Sequence, residues 1–180
     1  MHAVDGRNTA SVELRDASAS TEDIIGTIDK GAAVLDAALD AGRAVLTAEL
    51  LGVCAEAFER TLGYLREREQ FGVKIGSFQA LQHRAAHLFC EIELLRSVAL
   101  RALQALDAQE SGAAQLVCLA KGRASEIARV ATNEAVQMHG GIGMTDEFDI
   151  GFFMKRARAA AETFGDQFYH TDRYAQISGY

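Results

Sequence analysis

Not one of the 180 residues is proline. An interior proline removes a backbone hydrogen bond and breaks or kinks a helix. Nothing in this chain therefore stops helices from running long, and its many Ala, Leu, Glu and Arg residues favour them. At 49% hydrophobic and 24% charged, the composition fits one globular domain. A chain of this length buries roughly 70% of its unfolded surface, enough for a core without staples. Disordered and collagen-like classes are excluded.

The apolar spacing predicts four long helices. From Lys30 to Arg68, Leu35, Leu39, Leu46, Leu50, Val53, Phe58, Leu62 and Leu65 recur mostly at three- and four-residue steps. Such a helix is about 58 Å long. Ser77 is placed to cap a second helix, Phe78 to Ala108. After the break at Ser111-Gly112, a third runs from Ala113 to Met138. The glycine-rich run His139 to Gly143 ends it. A fourth covers Glu147 to Ala161, and a short helix spans Gly165 to Gln176. Thr9 to Leu14 alternates like one strand, and Asp16 to Thr27 reads as loop. The expected fold is all-α: an up-down-up-down four-helix bundle with a short N-terminal strand/loop remnant and a short C-terminal helix.

The formal net charge of −7 disfavours nucleic acid as a partner, because that binding is driven by phosphate neutralisation. No run reaches the ~18 apolar residues of a membrane span, and the first residues lack the apolar core of a signal peptide. Cys54, Cys90 and Cys118 have no paired spacing. They read as reduced, buried thiols of a cytoplasmic protein.

Several stretches carry chemistry beside a purely structural reading. Arg66 and Arg68 end the first helix, where cations meet the dipole and Gly72 suits a C′ position. Two arginines beside Phe71-Gly72 also suit an anion, since guanidinium grips phosphate in a bidentate way. Gln79 and Gln82 share a helix face, fit for a heteroaromatic ligand or a neighbouring helix. Gly140, Gly141 and Gly143, after Gln137, allow close backbone approach to a ligand. No strand precedes that loop, so it is not a Rossmann fingerprint. His83 and His87 have helical metal-ligand spacing but no adjacent carboxylate, and no metal is expected. Lys155, Arg156 and Arg158 read as a solvated or subunit-facing run.

Together these stretches resemble the acyl-CoA dehydrogenases over about residues 9 to 175. Leu39 to Arg43 and Ala48 to Gly52 look like the first long helix of that family's C-terminal domain. Arg68-Glu69-Gln70-Phe71-Gly72, Ile75 and Phe78-Gln79 are similar to its R-x-Q-F-G-x-x-I-x-x-F-Q signature. Gln137 to Gly143 resembles its Q-x-x-G-G-x-G loop, and Met154 to Arg158 stands where it has L-R-D-A-R/K. The resemblance implies that residues 1–28 are a remnant of the middle β-domain with its linker, and 29–180 the C-terminal four-helix bundle. It implies FAD as cofactor, with Arg68 at the pyrophosphate, Phe71 and Gln79 on the adenine side, and Gln137, Gly140, Gly141 and Gly143 in the loop contacts. It places Arg43 near the substrate. It implies an acyl-CoA substrate, same-family subunits in a homo- or heterotetramer, and electron-transferring flavoprotein as acceptor.

The family's reaction is α,β-dehydrogenation of an acyl-CoA thioester, in which a glutamate takes the α-proton. That glutamate stands in one of two places, and here they hold Phe164 and Gly42. Glu162 and Asp166 flank the first by two residues; Asp40 lies two from the second and Glu49 two turns beyond it. The expectation is a part of a flavin-dependent acyl-CoA dehydrogenase, inactive as this chain alone. The open alternatives are the base-less subunit of a heteromeric enzyme, and an acyl-CoA oxidase or flavin monooxygenase on the same fold. Base-less subunits of bacterial heterotetramers resemble this chain in carrying a segment like Phe164-Gly165-Asp166 followed by His170.

Overall fold

The computed structural model describes residues 3–180. Helix α1 spans Gly31–Glu67; a hairpin of β1 (Glu69–Gln70) and β2 (Val73–Lys74) follows. Then come α2 (Gln79–Asp107), α3 (Ala113–His139), α4 (Ile150–Glu162) and α5 (Gln167–Ile177). The four long helices form the bundle, and α5 packs on α3. Helix α3 is the centre: it touches α1, α2, α4 and α5. Its composition explains the position. Small residues such as Ala120, Ala124, Ala128, Ala131 and Ala135 are buried along its length, so neighbours approach closely on several sides.

The main core joins Leu46, Leu50, Cys54, Phe58 and Leu65 of α1 to Leu88, Ile92 and Leu95 of α2 and Ile127 of α3. The buried threonine hydroxyls are satisfied within their own helices. Thr47, Thr61 and Thr132 each donate to the carbonyl four residues back, at 2.9, 2.7 and 2.7 Å.

The expected helices stand, with ends shifted by up to three residues. Other local readings need correction. Residues 9–14 form no strand; the segment before α1 is loop with one 3-10 turn, Thr21–Asp23. A lone strand needs partners, and this stretch finds none in a sheet among the described residues. Gly72 is not the C′ residue of α1. The helix ends at an extended Arg68, and Phe71 (φ 54°) and Gly72 (φ 78°) form the tight turn between β1 and β2. Positive φ at both central residues is what a two-residue hairpin turn of the primed type demands. Ser77 does not cap α2: its hydroxyl donates to the Lys74 carbonyl at 2.7 Å, and Phe78 holds the N-cap position. Gly76 is required for packing, since a Cβ there would stand 2.8 Å from the Leu65 carbonyl oxygen.

Two readings of charge and burial also change. Cys54 and Cys118 are buried free thiols, whereas Cys90 is exposed on α2. The basic run of α4 is not uniformly solvated. Arg156 turns inward to pair with Glu49 of α1 at 2.5 Å and Asp5 at 2.6 Å. Lys155 lies over the Phe152 ring, and Arg158 pairs with Glu162 at 3.4 Å. No helix among the described residues is long and apolar enough to cross a membrane.

Leu50 is fully buried whereas Val45 is exposed. Leu50→Ala is expected to lower unfolding free energy by about 2–5 kcal/mol, and Val45→Ala by less than about 0.5 kcal/mol. Denaturant melts of the two variants check this.

Candidate functional site

The functional residues read from the sequence fall at two ends of the bundle. Arg43 and Arg68 are 25 positions apart on α1, about 37 Å along its axis.

At one end, the last turns of α1 and α3 are clamped together. Tyr64 stacks on His139 with ring centroids 4.4 Å apart, and Phe148 closes on both. His139 is buried, with Nδ1 donating to the Ala135 carbonyl at 2.7 Å. This stack puts the hairpin that follows α1 and the turn Gly140–Met144 that follows α3 at the same end of the bundle. The Arg68, Gln79 and Gln137 side chains are exposed and make no side-chain hydrogen bond or ion pair among the described residues. The Phe71 ring is 90% exposed at the hairpin tip, edge-on to Phe78 at 6.1 Å. A Cβ on Gly140 or Gly141 would meet nothing, so their backbone faces open space. Gly143 is buried against the Val136 carbonyl, where a Cβ would come to 2.7 Å. Five of the seven residues expected at the cofactor thus offer free donors, an aromatic face or accessible backbone; Gly141 adds a sixth and Gly143 serves the turn.

At the other end lies a buried polar knot. Arg43 is buried and uses all three guanidinium nitrogens on its own chain. Nε donates to the Phe164 carbonyl at 3.1 Å, Nη1 to Asp40 at 2.8 Å, and Nη2 to the Tyr169 hydroxyl at 3.0 Å. Asp40 also takes a two-pronged grip from Arg173 of α5, at 2.7 and 3.0 Å. Arg173 further donates to Cys118 Sγ at 3.2 Å. Burial raises the Cys118 thiol pKa above its usual value against the pull of Arg173.

Lys121 of α3 is fully buried. Its ammonium donates to the Ala161 carbonyl at the end of α4 (2.8 Å), the Gly165 carbonyl (2.9 Å) and Ser125 Oγ (3.1 Å). A cation at a helix C-terminus satisfies carbonyls that have no partner in the helix. Burial pulls its pKa down to about 8, with Asp166 and Glu162 opposing. His170 is also fully buried, and neither ring nitrogen has a hydrogen-bond partner. Burial, then Lys121 and Arg43, pull its pKa down to about 4.

This knot holds the turn between α4 and α5. Phe164 (φ 60°) and Gly165 (φ 105°) both take left-handed backbone there. A Cβ at Gly165 would meet the Tyr169 ring at 2.2 Å, so only glycine fits. The turn aims the Phe164 ring at α1: a Cβ on Gly42 would stand 2.9 Å from Phe164 Cε2. The two positions at which a catalytic glutamate was sought are therefore in contact. Neither holds a carboxylate, and the four nearby carboxylates are all engaged. Asp40 binds two arginines, Glu49 binds Arg156, Glu162 pairs with Arg158, and Asp166 accepts the Tyr169 N–H at 2.8 Å as the N-cap of α5.

Sequence reasoning met His170 only as the end of the Phe164-Gly165-Asp166 segment, and it missed Lys121, Arg173 and Tyr169. Lys121 had a signal, a charge placed directly after the apolar run Leu116 to Ala120. His83 and His87, considered for metal, are exposed on α2. Beside the knot, a cleft of about 380 Å³ opens between α3, α4 and α5, floored by Thr132, Ala157 and Ala161 and edged by Phe168.

Comparison with known proteins decides the family. Residues 29–177 match the family model "Acyl-CoA dehydrogenase, C-terminal domain". The chain belongs to the acyl-CoA dehydrogenase family. It is 35% identical over 155 residues to "Probable acyl-CoA dehydrogenase YngJ" of Bacillus subtilis, covering 86% of this chain and 40% of that protein. It superposes on butyryl-CoA dehydrogenase from Megasphaera elsdenii with a TM-score of 0.87 at 25% identity, over 92% of this chain and 43% of that one. A chain in a structure of the electron transferring flavoprotein of Acidaminococcus fermentans gives 0.88 at 28% identity, over 92% of this chain and 43% of that one. This chain thus spans about two-fifths of the relatives it matches.

The buried imidazole sets an acid limit on this knot. In the unfolded chain His170 takes a proton near its ordinary 6.5; folded, only near about 4. Between those values the unfolded state binds more protons, so stability falls as pH drops from about 6.5 towards 4. His170→Phe is expected to flatten that limb by about 1–3 kcal/mol, measured by denaturant unfolding at a series of pH values.

Proposed function

We propose that this chain supplies FAD-binding and subunit-facing surface to a flavin-dependent acyl-CoA dehydrogenase. Family membership supports the reaction class. The residues at the Arg68 end fit the cofactor: an unpaired guanidinium, two unpaired amides, an open glycine backbone and a bare aromatic ring form a donor set for a dinucleotide. Arg68 would hold the pyrophosphate, which a planar fork grips in a bidentate way. Phe71 and Gln79 would line the adenine, and Gln137, Gly140, Gly141 and Gly143 would bring backbone and amide groups to the same ligand. Bound there, FAD would supply the hydride acceptor for an α,β-dehydrogenation.

We assign the chain the role of a base-less subunit, the partner of a same-family chain that carries the base. One observation carries this reading: Gly42 and Phe164, the two family positions for the base, touch each other and bear no carboxylate. A general base must reach its proton within hydrogen-bond distance. Asp40 and Glu49 are bound by arginines, Glu162 pairs with Arg158 through one oxygen, and Asp166 caps α5 through one oxygen. Arg43, expected near the substrate, acts there by holding the Phe164 carbonyl. The substrate is an acyl-CoA and the electron acceptor an electron-transferring flavoprotein, in keeping with the family and with the Acidaminococcus structure it resembles.

Two measurements test this. Arg68→Ala is expected to weaken FAD retention by the assembly about 10–100-fold, the loss of one charge-assisted contact, with the helical circular-dichroism signal unchanged. Under anaerobic conditions, acyl-CoA is expected to bleach the flavin only when a base-bearing sister chain is present. Bleaching with this chain alone contradicts the base-less role.

A further inference from the structure

The contact between Gly42 and Phe164 says more than that a base is missing. The family reaches the thioester's α-carbon from either position, and in this fold the two meet at one point. That point is filled by an aromatic ring. The ring is no loose side chain: its backbone sits at φ 60°, a left-handed conformation that bulky residues rarely adopt. It is kept there by Arg43 on its carbonyl, Lys121 on the next carbonyl, and Tyr169 behind Gly165. Strain held by so many anchors marks a place where geometry matters. Phe164 is 44% exposed, so its ring lies at the surface and not in the core.

We propose, resting on the functional reading above, that Phe164 is a steric plug: seated on Gly42, its ring fills the place from which a base would reach the substrate α-carbon, and its bulk there excludes the acyl group of an acyl-CoA from this subunit. The chain then keeps a flavin-facing surface while the reacting thioester goes to its partner. Phe164 is thereby a specificity-determining residue, and Gly42 is glycine because the ring leaves no room for a side chain. Lys121 and Arg43 are positioning residues that act through the turn.

The test uses the flavin-loaded assembly purified through a tag on this chain, titrated with butyryl-CoA by calorimetry, with flavin absorbance read separately. Phe164→Ala is expected to add one butyryl-CoA per copy of this chain, without extra bleaching, because no base is introduced. Phe164→Leu, which keeps most of the bulk, is expected to bind as the wild type does. An unchanged stoichiometry in Phe164→Ala with flavin still bound overturns the plug, as does a wild-type chain that already takes its own thioester. Absence of flavin from the wild-type assembly overturns the functional reading, and the plug falls with it. Thermal melts give an independent check should Phe164→Ala disturb the turn. Gly42→Ala is expected to lower Tm by several degrees in the wild type and far less in a Phe164→Ala background; equal losses in both backgrounds overturn the seating of the ring on Gly42.

Discussion

One carboxylate, Asp40, ties three parts of the molecule together. It lies between Arg43 of its own helix and Arg173 of α5, and Arg43 reaches on to the turn after α4. An isolated buried charge is costly, and a buried pair often repays only its own desolvation. The Asp40 cluster is therefore better understood as a device of register than of stability. A hydrophobic patch would let α5 slide on α3. A carboxylate that must satisfy two guanidiniums permits one docking. Lys121 works the same way from the opposite side, binding the end of α4 and the turn in one grip. Both devices converge on Phe164 and Gly165, the least regular backbone in the second half of the bundle.

The length of α1 organises the rest. A helix of 37 residues carries Gly42 and Arg43 near one end and delivers the chain to the Arg68 hairpin at the other. The Tyr64–His139 stack makes the second end as rigid as the first, by a different chemistry. One end turns its charged groups inward and pairs them, leaving the His170 ring among them without a hydrogen bond. The other leaves its guanidinium, amides and Phe71 ring in solvent. Unpartnered donors on a rigid frame are the mark of a binding surface; saturated donors are the mark of a scaffold.

Periodicity made the helices legible because each long helix buries one stripe against α3, and apolar residues there cannot be replaced by polar ones. It failed where local chemistry chose between equivalent turns. Gly72 was as good a helix terminator as a hairpin residue, and only the pairing of Gln70 with Val73 decides. Cys90 sits among apolar neighbours in sequence yet faces out, since α2 buries the stripe of Leu88, Ile92 and Leu95 instead. Arg156 looked like surface because sequence cannot place Glu49 and Asp5 opposite it. The polar knot was almost invisible for the same reason: Asp40, Lys121, His170 and Arg173 are scattered over more than 130 positions, as the separation of Asp40 from Arg173 illustrates. The family motifs reached the Arg68 end because its residues are local in sequence, and they located Phe164 and Gly42 without revealing that the two touch.

That contact changes what the missing glutamate means. A base lost by a single substitution would leave a cavity, and returning the carboxylate would restore the reaction. Here the turn is strained and anchored so that the ring reaches Gly42. A carboxylate at position 42 has no room while Phe164 remains, because even a Cβ would stand 2.9 Å from the ring. A carboxylate at position 164 removes the ring but keeps Gly42, leaving the space beside α1 unfilled. The two positions are therefore one steric unit: the ring of one fills the space that a side chain at the other would need.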